Sequence, residues 1–471
     1  MRLNPLELPA APLGVLLTRG PSDWQIIQRG ADGRGQLALA GRWAAPEPGV
    51  VEVCLLHQDT GMPVSRQLDW QPAATHPDGT WALTVTGVPA GGLYRLETRF
   101  NRTSNARGEW SDRGDMRHCL GVGDLWVIAG QSNSAGRGLG PVYDPPELGV
   151  HLLRNNGQWA LATHPLNDST DTRHAVNREQ ANSGHAPHLH FARLLKQALG
   201  YPIGLIQTSR GGSYLEEWNP ADPAPSGGLY QNMLACLAAA GGRATGMLWY
   251  QGEAEGGAGT GASYAARFAQ ALAAWRAAVG QPDWPVLTVQ LNRHYRTPDA
   301  ALARSWSLVR EAQRQAARTL PGVTVVPALD LPLSDFIHTS PAGNIVLGDR
   351  LARAALGAVY GRADDYQAPD LQTAVTAADG RAIDLTFAPV RSRMDNLDPN
   401  ANCFEVEDGA GPVPMTAVSY PSGPVVRLEL GRALSGLAVV HGAGGLAPAR
   451  APLDIERLLP MLGFYGVAVA R

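Results

Sequence analysis

Three things are scarce in this chain, and each scarcity removes a class of function. No apolar run approaches the roughly eighteen residues that a membrane-spanning helix needs, so none is expected. Cysteine occurs four times in 471 residues, at Cys54, Cys119, Cys236 and Cys403. So wide a scatter makes neither a zinc-binding spacing nor a dense disulfide framework, and the expectation is buried free thiols in a reducing cytoplasm. Charge of either sign is barely in excess: Lys+Arg is 39, Asp+Glu is 42 and the net charge is -3. There is no electrostatic case for nucleic acid or an anionic membrane as a partner. The opening Met1-Arg-Leu-Asn-Pro5 does not lead from a basic stretch into an unbroken apolar one, so a signal peptide is not expected.

What is present is an ordinary globular composition, 44% hydrophobic and 17% charged, in a chain long enough for two or three domains. Its texture changes twice. Residues 1–118 read as an all-β, sandwich-like domain: Val50–Leu56, Thr80–Val85 and Tyr94–Arg99 carry β-formers, separated by Pro-Gly, Asp-Gly and Gly-Gly turns. Residues 119–365 alternate strands with helices. The strands are Leu125–Ala129, Ile203–Thr208, Gly246–Tyr250, Val286–Leu291 and Val323–Ala328. Tyr264, Phe268, Leu272, Trp275 and Val279 mark one face of a helix, and Ser340-Pro341 caps another whose stripe holds Leu347, Leu351 and Ala355. That alternation predicts an α/β domain with a parallel sheet covered on both faces. Residues 366–471 return to β texture and form a third, C-terminal β domain.

The chemistry gathers in the middle. The apolar strand Leu125–Ala129 stops at Gly130-Gln131-Ser132-Asn133, and open α/β sheets place reacting groups at such strand ends. Arg210-Gly-Gly-Ser213, Tyr250-Gln-Gly-Glu253 and Asp335-Phe-Ile-His338 stand at or after the ends of other strands, so all four pieces converge on one sheet edge. Acyl transfer by a serine needs a base, a group to orient the base, and donors for the oxyanion. Ser132 is the candidate nucleophile, His338 the base and Asp335 its orienting acid; Asp330 is an alternative acid that the spacing disfavours. Ser132 N–H, a backbone N–H at Gly211 or Gly212 and the Gln251 amide are candidate oxyanion donors. Gln131, Asn133, Arg210, Trp218 and Glu253 are candidate substrate contacts; Glu253 is also a candidate second catalytic carboxylate, although bracing of the Ser132 loop is favoured for it, a core position is favoured for Trp218, and a salt bridge has at least equal standing for Arg210. His185, His188 and His190 mimic a metal cluster, but no carboxylate or cysteine nearby completes a ligand set, so no metal and no cofactor is expected.

Gly-Gln-Ser-Asn, Gly-Gly-Ser ahead of Trp218, Trp-Tyr-Gln-Gly-Glu and Asp-x-x-His, in this order, resemble the sialate O-acetylesterase type of carbohydrate esterase in the SGNH hydrolase superfamily. The resemblance covers most of the chain. It implies a flavodoxin-like three-layer α/β core with flanking all-β domains at both ends. It also implies that Ser132 attacks an acetyl ester of a carbohydrate, that His338 and Asp335 complete a triad, and that Gln251 stands where many SGNH enzymes carry asparagine. Two positions depart from the family's pattern: Ser134 replaces a usual methionine, and Thr339 a common proline. Two other readings stay open: a non-catalytic carbohydrate-binding protein, and an esterase or thioesterase acting on non-sugar short acyl groups. The sugar, the acetyl position and the oligomeric state are not legible.

Overall fold

The computed structural model describes residues 13–104, 111–179, 184–220, 228–297 and 299–471. Its centre is a sheet whose strands are β1 (Ser111–Gly130), β2 (Val150–Leu153), β3 (Trp159–Leu161), β4 (Ile203–Gln207), β5 (Gly246–Tyr250), β6 (Val286–Gln290) and β7 (Val323–Pro327). Their spatial order is β3-β2-β4-β1-β5-β6-β7, parallel throughout except for the antiparallel edge strand β3. β2, β4, β5 and β6 are buried at every residue, as strands covered on both faces must be.

Seven helices accompany the sheet among the described residues: α1 (Ser132–Ala135), α2 (His188–Leu199), α3 (Gly228–Ala239), α4 (Glu253–Ala258), α5 (Tyr264–Val279), α6 (Ala300–Thr319) and α7 (Pro341–Ala358). α5 buries Tyr264, Phe268, Leu272 and Trp275, the stripe read from the sequence, and ends on left-handed Gly280. α7 starts where expected: the Ser340 side chain accepts from Gly343 N, and Pro341 occupies the first turn. None of the described helices is long and apolar enough to cross a membrane.

β1 ties the N-terminal strands to this core. Its first part, Ser111–Val122, pairs antiparallel with Gly91–Asn101. Its second part, from Asp124 onward, lies between β4 and β5. The division read at residues 118 and 119 therefore falls inside one continuous strand that changes partners. At the other end, the strands from Asp370 to Ala468 bury a separate cluster that includes Ile383, Phe387, Phe404, Val426 and Phe464. This segment is keyed to the core through α6. The buried Arg310 donates to the carbonyls of Leu291, Asn292, Ala443, Gly445 and Leu446. Gln290 exchanges hydrogen bonds with the Gly463 backbone in both directions.

Candidate active site

The site begins where β1 ends. Gly130 has φ +121, and a Cβ there would meet the Tyr250 carbonyl oxygen at 2.2 Å, so only glycine fits. Gln131 N donates to that same carbonyl at 2.9 Å. The chain then turns into α1 with Ser132 as its first residue, 8% exposed. A first helical residue has no intrahelical acceptor for its N–H, so the Ser132 amide is left for another partner.

Asn133 joins this turn to a loop two hundred residues away. Its Nδ2 donates to Glu253 Oε1 at 2.7 Å and to the Ile337 carbonyl at 3.3 Å, while its Oδ1 accepts from Thr339 N at 2.9 Å. The residues on both sides of His338 are thus held by the residue next to Ser132. Within that loop, His338 Nδ1 lies 2.7 Å from Asp335 Oδ2, and Asp335 Oδ1 accepts from the backbone N–H groups of Ile337 and His338. Partial burial works against ionisation of Asp335. The His338 ring and the two N–H donors more than offset it, and hold its carboxyl below the usual range. Asp330 is engaged elsewhere, with both oxygens 2.7 Å from the Arg350 guanidinium, so Asp335 is the acid on the histidine.

The residues read as oxyanion donors have unequal surroundings. Gly212 has φ +67, and a Cβ built on it would meet nothing within 4 Å. No hydrogen bond among the described residues uses its N–H. The Gly211 N–H, by contrast, donates to Glu179 Oε1 at 2.7 Å. Gln251 is fully buried, and its Nε2 is engaged by the Ser213 carbonyl at 3.3 Å and by Glu255 Oε2. Its two amide protons are therefore taken, and Gln251 ties the Gly212 loop to α4.

Most of the candidate substrate contacts are braces. Gln131 Oε1 accepts from Gly252 N and Ala254 N at the start of α4. Asn133 is the tether already described. Arg210 pairs with Glu217 at 3.0 Å, the salt bridge rather than a free cation. Trp218 is completely buried, donates to Ser213 Oγ at 3.1 Å and packs edge-on against Trp249 at 5.3 Å, so it offers no face to a sugar. Glu253 lies beneath Asn133; burial pushes its carboxyl up to about 7. Ser134, one of the departures, donates to the Ala129 carbonyl at 2.9 Å. Thr339, the other, lies 3.2 Å from Asn292 Nδ2.

The histidine cluster regroups. Its centre is Asp144, with His164 Nε2 at 3.0 Å, His185 Nε2 at 3.2 Å, His190 Nδ1 at 3.7 Å and Arg193 at 2.9 Å. A carboxylate does therefore complete a group of three possible ligands, Asp144, His164 and His185, within 4.8 Å. Their geometry is that of a hydrogen-bond hub. The His164 and His185 rings stack at 4.0 Å and 27°, which sends their Nε2 vectors nearly side by side onto one carboxylate oxygen. His188 is not in the hub; it is buried at the start of α2, where desolvation lowers its pKa to about 3. The sequence reading missed Asp144, Glu179 and Glu255, acids that stand in no recognisable motif.

Residues 122–357 match the family model described as carbohydrate esterase, sialic acid-specific acetylesterase. A probable carbohydrate esterase of Arabidopsis thaliana is 28% identical over 269 residues, which span 52% of this chain and 95% of that protein. The crystal structure of a novel carbohydrate acetylesterase from Xanthomonas citri superposes with a TM-score of 0.66 at 22% identity, covering 94% of this chain and 97% of that one. At that identity the likeness is one of fold.

Proposed function

The chain belongs to the sialic acid-specific acetylesterase family of carbohydrate esterases, and from that premise we propose that it is a serine esterase removing O-acetyl groups from a carbohydrate through an acetyl-enzyme. Ser132 Oγ attacks the acetyl carbonyl while His338 takes its proton. Asp335 holds the imidazole in the right orientation and offsets the charge the ring acquires. The tetrahedral oxyanion is received by the Ser132 and Gly212 N–H groups, the two whose surroundings leave them available. His338 then protonates the departing sugar oxygen, and water, activated by the same ring, cleaves the acetyl-enzyme to acetate.

The observation that carries this reading is the Asn133 tether. One buried side chain holds the backbone on both sides of His338 against the residue adjoining Ser132, while His338 sits 2.7 Å from Asp335. The three-domain division, with catalysis in residues 119–365, belongs to the same proposal. So does a reducing cytoplasmic setting, which suits four cysteines that are all free.

Acetate release from a panel of acetylated sugars, 9-O-acetyl sialic acid and acetylated xylooligosaccharides among them, tests the reading. Turnover by the wild type that is lost in Ser132→Ala is the expected result. Absence of turnover across the panel, or full activity in Ser132→Ala, would overturn it.

A further inference from the structure

The triad turn carries an aromatic ring that the chemistry of the triad does not require. In Asp335-Phe336-Ile337-His338 the conformation is set by Asp335, which accepts from both following N–H groups. Ile337 packs on the core, whereas Phe336 is 56% exposed. Beside it, Tyr295 N donates to the Phe336 carbonyl at 2.7 Å, and Tyr295 is 54% exposed. On the other flank Leu139, 65% exposed, donates its N–H to Ser334 Oγ at 3.2 Å. Single exposed apolar residues are ordinary, but contiguous ones beside a reacting group mark a binding surface.

This surface is also held still from behind. The His294 ring lies 5.6 Å from Phe336 and 4.9 Å from Trp306, and Trp306 Nε1 donates to the Asn292 carbonyl at 3.2 Å. His294 N donates to the Leu446 carbonyl at 2.9 Å, which anchors the loop to the C-terminal segment. Arg293 fixes the phenol: one guanidinium nitrogen donates to Tyr295 Oη and the other to the Leu331 carbonyl, both at 2.9 Å. Rings supported in this way lose little freedom when a ligand settles on them.

We infer that Phe336 and Tyr295 form the platform on which the sugar ring bearing the acetyl group stacks, and that they select a pyranose ester over a simple alkyl ester. The C–H face of a pyranose is flat and apolar while its hydroxyls project from the rim, so an aromatic face covers the first and leaves the second in water. The arginines nearest the nucleophile loops, Arg137 and Arg210, are paired with Glu179 and Glu217. The inference rests on the esterase reading above and adds the substrate feature that the site selects.

The test compares glucose pentaacetate with ethyl acetate, which has no ring to stack. Phe336→Ala and Tyr295→Ala are each expected to lower kcat/KM for the sugar ester about tenfold more than for ethyl acetate, mainly through KM. Leu437→Ala, at a remote site 93% exposed, is the control and leaves both substrates unaffected. Should Phe336→Ala unfold, Tyr295→Ala on the neighbouring loop carries the comparison. Equal losses on both esters, or no loss on the sugar ester, would overturn the platform while leaving the esterase intact. A wild type inactive on both esters would remove the esterase reading and the platform with it.

Discussion

Asn133→Ala is the most informative single substitution, because it cuts the link between the Ser132 turn and the His338 loop without touching an atom of the proposed triad. Asn133 is buried and makes three contacts: 2.7 Å to Glu253, 3.3 Å to the Ile337 carbonyl and 2.9 Å from Thr339 N. Alanine leaves the two partners of the shorter bonds buried and unsatisfied, each at roughly 1–3 kcal/mol, and the longer contact adds less. The expected loss of stability is about 3–5 kcal/mol, read as a fall in the denaturant midpoint with the slope unchanged. Freed on both sides, His338 drifts relative to Ser132, and a displacement of about 1 Å in such a constellation costs on the order of 10² in kcat. Both quantities come from one preparation: a guanidinium melt, and steady-state hydrolysis of p-nitrophenyl acetate at a temperature where the variant is folded. A variant that melts early yet retains the wild-type kcat would refute the reasoning, since the side chain would then stabilise the fold without positioning the base.

Two further outcomes follow from buried groups near the site. Burial raises the Glu253 carboxyl from 4.5 to about 7, so the folded state prefers its protonated form. Its contribution is fully present below about 4.5 and is lost as pH rises through about 7, amounting to roughly 3 kcal/mol. Glu253→Gln keeps an acceptor for Asn133 and cannot ionise. It should match the wild type in unfolding free energy near pH 4.5 and exceed it well above pH 7; an equal difference at both ends would sink the argument. Trp218→Ala removes a fully buried indole, so about 3–5 kcal/mol of stability should be lost. Sugar and alkyl esters should then suffer alike, and a loss confined to the sugar ester would contradict the core placement.

The fold was legible wherever burial writes a long pattern. Strands of the central sheet show as near-continuous apolar runs, and β4, β5, β6 and β7 fall within a residue of the expected bounds. The sixteen-residue α5 matches its stripe from end to end. β2 and β3 went unseen because four and three residues are too few for any periodicity to emerge. At residue 118, where the composition shifts, the backbone of β1 runs on without a break.

The site divides along a different line. Asp335 and His338 are three residues apart on one turn, so their contact is local and their spacing reveals it. The jobs of Gln131, Asn133 and Gln251 depend on partners more than a hundred residues distant or on a turn of backbone that sequence does not display. An amide side chain looks the same whether it faces a substrate or a carbonyl. Trp218 and Arg210 likewise needed burial and a located carboxylate before their roles could be told apart.

Acid-quenched incubation of the enzyme with an acetyl ester, followed by peptide mass spectrometry, tests the central claim most directly. One acetyl group on the peptide containing Ser132, absent in Ser132→Ala and greatly diminished in His338→Ala, is the predicted result. Turnover with no acetyl trapped under any quench, or acetyl on another residue while Ser132→Ala remains active, would contradict it.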